Sequence, residues 1–179
     1  MAETLVKRSD KKMFWGIPAT GGSGTATFTR MKGFTELSGS KNPTEYERQY
    51  VDEDFARTDV TGYSPSWSFA FDEFVGDAVC EDIVGILDGE KLGTDAQRDI
   101  IQVDFTKTKG SGGFEAIKRT VSVIGDTEGD STDAYTYSGT FRTSGSPITG
   151  TATISTPTGG NSKDVLTITF EEDAEDSDQ

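Results

Sequence analysis

Four carboxylates between two predicted strands have the spacing that comes nearest to a chemical site in this chain. Asp126, Glu128, Asp130 and Asp133 follow one another at short intervals, and calcium prefers oxygen ligands of this kind. Their spacing does not match that of an EF-hand loop. We therefore interpret residues 125–133 as a solvated acidic loop, and we predict no metal ligand in the chain.

Nucleophilic catalysis has little support in the composition. The chain contains no histidine, which removes the Ser-His-Asp and Cys-His systems, and it has a single cysteine, Cys80. One cysteine without histidine also excludes structural zinc, and the apolar neighbours of Cys80 predict a small buried side chain. Paired carboxylates for acid–base hydrolysis remain an alternative in any acidic β protein, but no pair is marked here. We predict no catalytic residue, no cofactor and no enzyme activity.

The charge of the chain limits the classes of molecule that it is expected to bind. Asp and Glu number 31 against 17 Lys and Arg, so the formal net charge is −14. Such a surface repels phosphate backbones and anionic membranes, which argues against ordinary nucleic-acid or membrane binding. No stretch has the length of a membrane span or the composition of a signal peptide, which predicts synthesis in the cytosol.

Most of the chain has the sequence pattern of β-strands, and these strands must position the carboxylates and the cysteine considered above. Residues 66–72 alternate, with Trp67, Phe69 and Phe71 on one face, and similar alternation recurs up to Leu166, Ile168 and Phe170. Clusters of Gly and Asp separate the strands. This arrangement predicts an all-β dominated fold, an antiparallel β-sandwich or barrel.

One segment has a helical period instead. Residues 74–88 are predicted to form a helix that packs its apolar stripe on one sheet and ends at Asp88-Gly89. The stripe consists of Val75, Val79, Ile83, Ile86 and Leu87.

The rest of the chain divides around this domain. We expect an N-terminal arm or linker over 1–24, a β domain over 25–170, and a disordered acidic tail over 171–179. Within the first segment Phe14, Trp15 and Ile17 form a small apolar group. This group either docks on a neighbouring molecule or packs in the chain's own core.

A long charged segment, residues 40–64, precedes the strand at 66–72. Aromatic and arginine side chains interleaved with both charge signs suit a contact surface that is also soluble when free. The alternative is a hairpin folded on its own sandwich. The predicted contact residues between copies are Tyr46, Arg48, Tyr50, Phe55, Arg57 and Tyr63, with Phe14 and Trp15 as a second group.

The segments "NPTEY" at 42–46 and "TDVTGYSP" at 58–65, followed by a strand, a helix and "IIQVDF", resemble the major tail (tail tube) protein of long-tailed bacteriophages. With "GFEAIKRTVSVIGDTEGD" and "YTYSGTFRTSG", the similarity extends over most of residues 25–170. The N-terminal stretch and the acidic tail lie outside it.

This resemblance implies a structural protein of the virion tail that is made in the host cytoplasm. Six copies are expected to form a ring, and stacked rings a tube. The lumen is expected to hold a tape-measure protein and then to conduct DNA without specific binding, while tail terminator and distal tail proteins cap the tube. The helix at 74–88 is expected to cover the outer face of the sheet. Two alternatives stay open: the tube subunit of a related phage-like injection device, and a monomeric ligand-binding sandwich, for example for carbohydrate.

Overall fold

A computed structural model describes residues 3–18, 27–110, 112–155 and 167–173. Eleven strands and one α-helix are found in these ranges. Their bounds are β1 Lys11–Ile17, β2 Thr27–Arg30, β3 Phe34–Ser40, β4 Pro43–Arg48, β5 Arg57–Tyr63, β6 Ser66–Asp72, α1 Ala78–Leu87, β7 Gln97–Lys109, β8 Gly113–Glu128, β9 Thr136–Thr143, β10 Ile148–Ser155 and β11 Thr167–Glu172. Short 3-10 turns lie at Arg8–Asp10 and Gly93–Ala96.

Six of the strands close into an antiparallel barrel. Their order is β10-β11-β2-β1-β7-β8, and β8 returns to β10. The closure depends on the length of β8, whose first part pairs with β10 and whose last part pairs with β9. The sheet therefore branches at β8 and continues as β9-β6-β3. The predicted antiparallel, all-β dominated fold with one flanking helix is confirmed, in the form of a barrel with an attached sheet.

The two sides of the sheet enclose two separate cores. Phe14, Ile101 and Val103 lie inside the barrel, together with Phe28 and Ile168. The second core lies between the sheet and α1; its larger members are Trp15, Trp67, Phe69, Phe71, Ile100 and Phe141. Neighbouring residues of β1 and β7 thus enter opposite cores, because both faces of these strands are covered.

Helix α1 begins later than its apolar period predicts. Gly76 has a φ of 87°, and the Asp77 carboxylate accepts from the backbone N–H groups of Val79 (3.0 Å) and Cys80 (3.3 Å), so Asp77 is the N-cap. Val75 therefore precedes the helix and is almost completely exposed, and its prediction as part of the buried stripe is wrong. Val79, Ile83 and Ile86 are buried, and the helix ends before Asp88 as expected.

One carboxylate fastens the helix to the sheet. Asp82 Oδ2 accepts from Trp15 Nε1 at 2.8 Å and from Arg98 Nε at 2.8 Å, and its Oδ1 accepts from Arg98 Nη2 at 2.9 Å. Trp15 is fully buried, and the Arg98 and Asp82 side chains are mostly so. A second bond joins the end of the helix to β9, where Tyr137 Oη donates to Asp88 (3.1 Å).

Residues 11–17 do not belong to an N-terminal linker. They form β1, which pairs with both β2 and β7 in the barrel. At the other end β11 extends to Glu172, so the expected boundary at 170 lies within a strand, and residues 174–179 lie outside the described residues. Leu166 also lies outside them, whereas Cys80 is buried as predicted. No helix in the described ranges has the length and apolar character needed to cross a membrane.

Candidate self-assembly surface

The segment 40–64 forms an antiparallel ribbon that stands apart from the barrel. Strands β4 and β5 pair only with each other, in a two-stranded sheet of their own. Every residue of β4 is exposed, and so is every residue of β5 except Gly62, which is partly exposed. The ribbon therefore does not pack on the chain's own sheet, the alternative that the sequence left open. An isolated two-stranded ribbon is only marginally stable in water, so this arm lacks a supporting surface.

The base of the arm is held firmly. Strands β3 and β6 pair up to Ser40 and Ser66, and the chain leaves and re-enters the sheet at that point. Asn42 adopts a φ of 45°, and its side-chain amide donates to the Ser64 carbonyl (3.0 Å) and to Ser66 Oγ (2.9 Å). The Ser64 amide donates in turn to the Asn42 carbonyl (3.1 Å). The arm is thus a bent continuation of the β3–β6 hairpin.

One face of the ribbon carries arginines and tyrosines. Arg48 lies directly opposite Arg57, and Tyr46 lies opposite Asp59. Like charges in such a pair disfavour the ribbon as an isolated element. Arg57 is compensated in part, because its guanidinium lies 5.9 Å from the Tyr50 ring and its Nε donates to Glu53 at 2.9 Å. The face presents cationic and aromatic groups to solvent, as a contact surface does.

The tip of the arm, defined here as residues 50–55, combines acidic and apolar side chains. Val51 and Phe55 are among the most exposed large apolar residues of the described chain. Asp52 and Asp54 flank Glu53, which is paired with Arg57. Exposed apolar groups are individually common, but two of them at the end of an unsupported ribbon mark a contact point.

The sheet offers a further open feature beside the arm. Among the described strands of the large sheet, β3 is the one with a strand neighbour on a single side. Its Leu37 carbonyl accepts from Arg8 Nη2 at 3.2 Å. Unpaired edges of this kind are templates for pairing with another chain.

A buried arginine lies close to the base of the arm. Arg119 in β8 is 8% exposed, and its Nε has no hydrogen-bond partner among the described residues. Its guanidinium lies 5.5 Å from the Trp67 ring, and burial lowers its pKa. It borders a cavity of about 490 Å³, which is also lined by Lys41, Tyr63 and Pro65.

No metal centre is apparent in the part of the chain that the structure describes. No three His, Cys, Asp or Glu side chains there are grouped as metal ligands, and the carboxylates of 125–133 are no exception. Part of that segment belongs to a strand, because β8 extends to Glu128. Burial raises the pKa of the Cys80 thiol to about 11, which leaves it protonated and unreactive near neutral pH.

The predicted contact residues separate into two groups. The six residues of the arm are all exposed, and their role in contacts between copies stays a prediction. Phe14 and Trp15 are 0% exposed in the two cores, so their prediction as a docking group is wrong: they fill the chain's own interior. Sequence reasoning missed Arg119 as a site, although a charge within the apolar alternation of Ile117, Val121 and Val123 was the available signal.

Comparisons with known proteins give likenesses among solved structures only. No family model matches the chain, and no curated protein matches it. Among solved structures, a chain of the anti-feeding prophage (AFP) baseplate, determined by cryo-EM and 6-fold symmetrised, is similar at 8% sequence identity with a TM-score of 0.47. The likeness covers 83% of this chain and 97% of that chain. Similarity at this level assigns neither a family nor a function.

Proposed function

We propose that this chain is a structural subunit of a phage tail tube or of a related phage-like injection device. Copies join into rings of about six, and the rings stack into a tube that conducts DNA during ejection. The number six comes from the sequence resemblance to tail tube proteins described above. The tube belongs to the virion tail, and its subunits are made in the host cytoplasm.

The exposed arm carries this proposal. A ribbon of six and seven residues per strand, without packing against the barrel, exposes Tyr46, Tyr50, Phe55 and Tyr63 to water. A chain that worked as a monomer would gain nothing from ordering such an arm against its conformational entropy. A second copy supplies the missing surface, and the arm is ordered on assembly.

The open edge of β3 and the acidic charge agree with the proposal. An edge that would be an aggregation hazard in a monomer becomes a joint when an identical neighbour pairs with it. A contact that uses different surfaces on the two copies closes into a ring or continues as a filament. A net charge of −14 favours a bore that repels phosphate, through which DNA slides without binding. Tape-measure, terminator and distal tail proteins remain expected partners.

Removing the arm tests the proposal. Replacing residues 43–63 by one glycine connects Asn42 to Ser64, which already share a backbone hydrogen bond of 3.1 Å, so β3 and β6 keep their pairing. Wild-type protein should form rings or tubes in negative-stain micrographs and sediment as large species as its concentration rises. The variant should sediment as a folded monomer with a retained far-ultraviolet β signal.

Two outcomes would contradict the proposal. Wild-type protein that stays monomeric at every concentration and salt condition would favour the ligand-binding sandwich instead. An arm-deleted variant that still forms tubes would remove the arm from the assembly surface.

A further inference from the structure

Arg119 is a buried cation without a counter-charge in the described ranges. Its side chain is more than nine-tenths covered, and no hydrogen bond or ion pair joins it to a residue that the structure describes. Its contact with the Trp67 ring compensates the lost hydration only in part. Buried charges in proteins are normally paired, and this arginine has no anion among the residues that the structure describes.

The surroundings of Arg119 leave room for that anion. The 490 Å³ cavity lies between the base of the arm and the β9–β10 turn, with Pro65 and Pro147 as apolar walls. A smaller cavity of about 240 Å³ adjoins it, and Arg119 and Lys41 line both. The other two lysines of the smaller cavity already have carboxylates, since Lys11 pairs with Asp104 (3.1 Å) and Lys107 with Glu115 (2.8 Å).

We call these two adjoining cavities the groove. Lys41 and Arg119 are therefore the two cations of the groove without a described carboxylate. Lys41 has no ion pair with any residue in the described ranges. The groove thus presents two positive charges with apolar walls, on a chain whose overall charge is strongly negative.

The arm tip has the complementary character. Asp52 and Asp54 have no ion pair with a described residue, and the neighbouring Val51 and Phe55 are exposed. Two carboxylates beside two apolar groups match two cations beside apolar walls. Over residues 43–63 as a whole, six carboxylates stand against two arginines, so the arm is attracted to a basic groove.

The groove lies at the base of the arm, so the tip of the same chain lies at the opposite end of the arm from it. Tyr63 and Lys41, which line the cavity, lie at the base of the arm, while the tip follows seven residues of β5 farther away. At roughly 3.3 Å per residue this distance is about 20 Å. A second copy must therefore supply the tip.

We propose that the groove around Arg119 receives the acidic arm tip, residues 50–55, of a second copy of this chain, with Asp52 and Asp54 pairing with Arg119 and Lys41. This inference rests on the proposed function and names the receiving site for the arm. Each copy gives a tip and receives one, so the contact is head-to-tail and propagates around a ring or along a tube.

Two full-length variants test the contact from its two sides. Arg119→Met removes the receiving charge and should fold with an unchanged or higher Tm, because it eliminates a buried unpaired cation. The double variant D52N/D54N removes the two carboxylates of the tip that have no described ion pair and leaves Glu53, which pairs with Arg57. Each variant alone should remain monomeric by sedimentation velocity under conditions in which the wild type assembles. Mixed in equal amounts, they should form a 1:1 dimer, since one retains the tip and the other the groove.

A matched control separates the tip from the charge of the arm as a whole. The double variant E45Q/E47Q removes the same charge from β4 and should assemble like the wild type. Disulfide trapping gives a direct readout in a Cys80→Ala background: Val51→Cys on one chain, which keeps both tip carboxylates, and Ser146→Cys on another should cross-link between copies, and either variant alone should not.

The outcomes distinguish this inference from the proposed function. If wild-type protein does not assemble, both fail. If it assembles and Arg119→Met assembles equally well, the receiving site is wrong while the tube proposal stands. A chain lacking residues 174–179 should assemble unchanged. If it does not, and D52N/D54N does, the groove takes the acidic C-terminus and the inference is overturned.

Discussion

Asp82 is predicted to hold the helix on the sheet, and Asp82→Ala tests this directly. The substitution leaves the fully buried Trp15 Nε1–H without its acceptor, which costs about 1–3 kcal/mol. It also removes both hydrogen bonds of the ion pair with Arg98. Breaking a buried ion pair by removing one partner costs about 3–5 kcal/mol. The Arg98 and Asp82 side chains keep 11% and 16% exposure, so the lower part of that range applies. We expect a total loss of about 4 kcal/mol in the free energy of unfolding, or roughly 8–16 °C in Tm for a domain of this size.

Urea denaturation followed by tryptophan fluorescence and far-ultraviolet circular dichroism measures this loss. The midpoint should fall while the m-value stays constant. A double-mutant cycle with Arg98→Met isolates the pair, and the double variant should be at least about 1.5 kcal/mol less destabilised than the sum of the single changes. Glu81→Ala is the matched control on the same helix, because the exposed Glu81 carboxylate accepts only from the Gly76 amide (2.7 Å). A loss below about 1 kcal/mol for Asp82→Ala, equal to that of the control, would refute the reasoning.

Two further predictions concern buried positions. Burial raises the pKa of Cys80 from 9.0 to about 11, so the folded state keeps the thiol proton that the unfolded state releases; stability from this residue is intact below pH 9 and declines as the pH rises to 11. Wild-type protein should therefore lose about 2 kcal/mol more than Cys80→Ala between pH 8 and pH 11 in chemical denaturation, and parallel curves would contradict this. A Cβ on Gly139 would lie 2.2 Å from the Ile124 carbonyl oxygen and 2.7 Å from the Phe69 ring, so Gly139→Ala should cost about 3 kcal/mol, whereas the unobstructed helical Gly85→Ala should stabilise by about 0.5–1 kcal/mol. Equal thermal midpoints for the two glycine variants would count against the close packing of β9 on β8.

Local alternation of apolar and polar residues is sufficient to predict the strands that have one covered face. Trp67, Phe69 and Phe71 repeat every second residue because β6 has its apolar face under α1 and its other face more open. The same rule fails for β1, where Phe14 and Trp15 are adjacent and both fully buried. A strand covered on both faces shows an apolar run without alternation, and the run alone does not distinguish such a strand from a docking group.

The closed barrel and the exposed arm depend on long-range pairing. Closure requires β10 to pair with the first part of β8 while β9 pairs with the last part, and no local pattern records that division. For residues 40–64 the sequence predicts an arm that contacts other copies and leaves open a hairpin folded on its own sandwich. Local patterns do not decide between these two, since a contact between distant elements leaves no periodic signal; the separate, exposed ribbon decides against packing on the chain's own sheet.

The exposed arm and Arg119 meet at one place on the sheet. Strands β7 and β8 have 13 and 16 residues, which correspond to lengths of roughly 43 and 53 Å. Helix α1 has 10 residues and covers about 15 Å, so it covers only part of these strands. Arg119 lies directly opposite Ile100 of the core, is itself 8% exposed, and borders the cavities beside the base of the arm. Among the described residues, the arm is the long element that the chain leaves unpacked, and its own tip lies about 20 Å from those cavities. A neighbouring copy that brings its tip there gives Arg119 a carboxylate and covers the arm in one contact, which is why we treat the cavities around Arg119 and the free arm as two halves of a single interface.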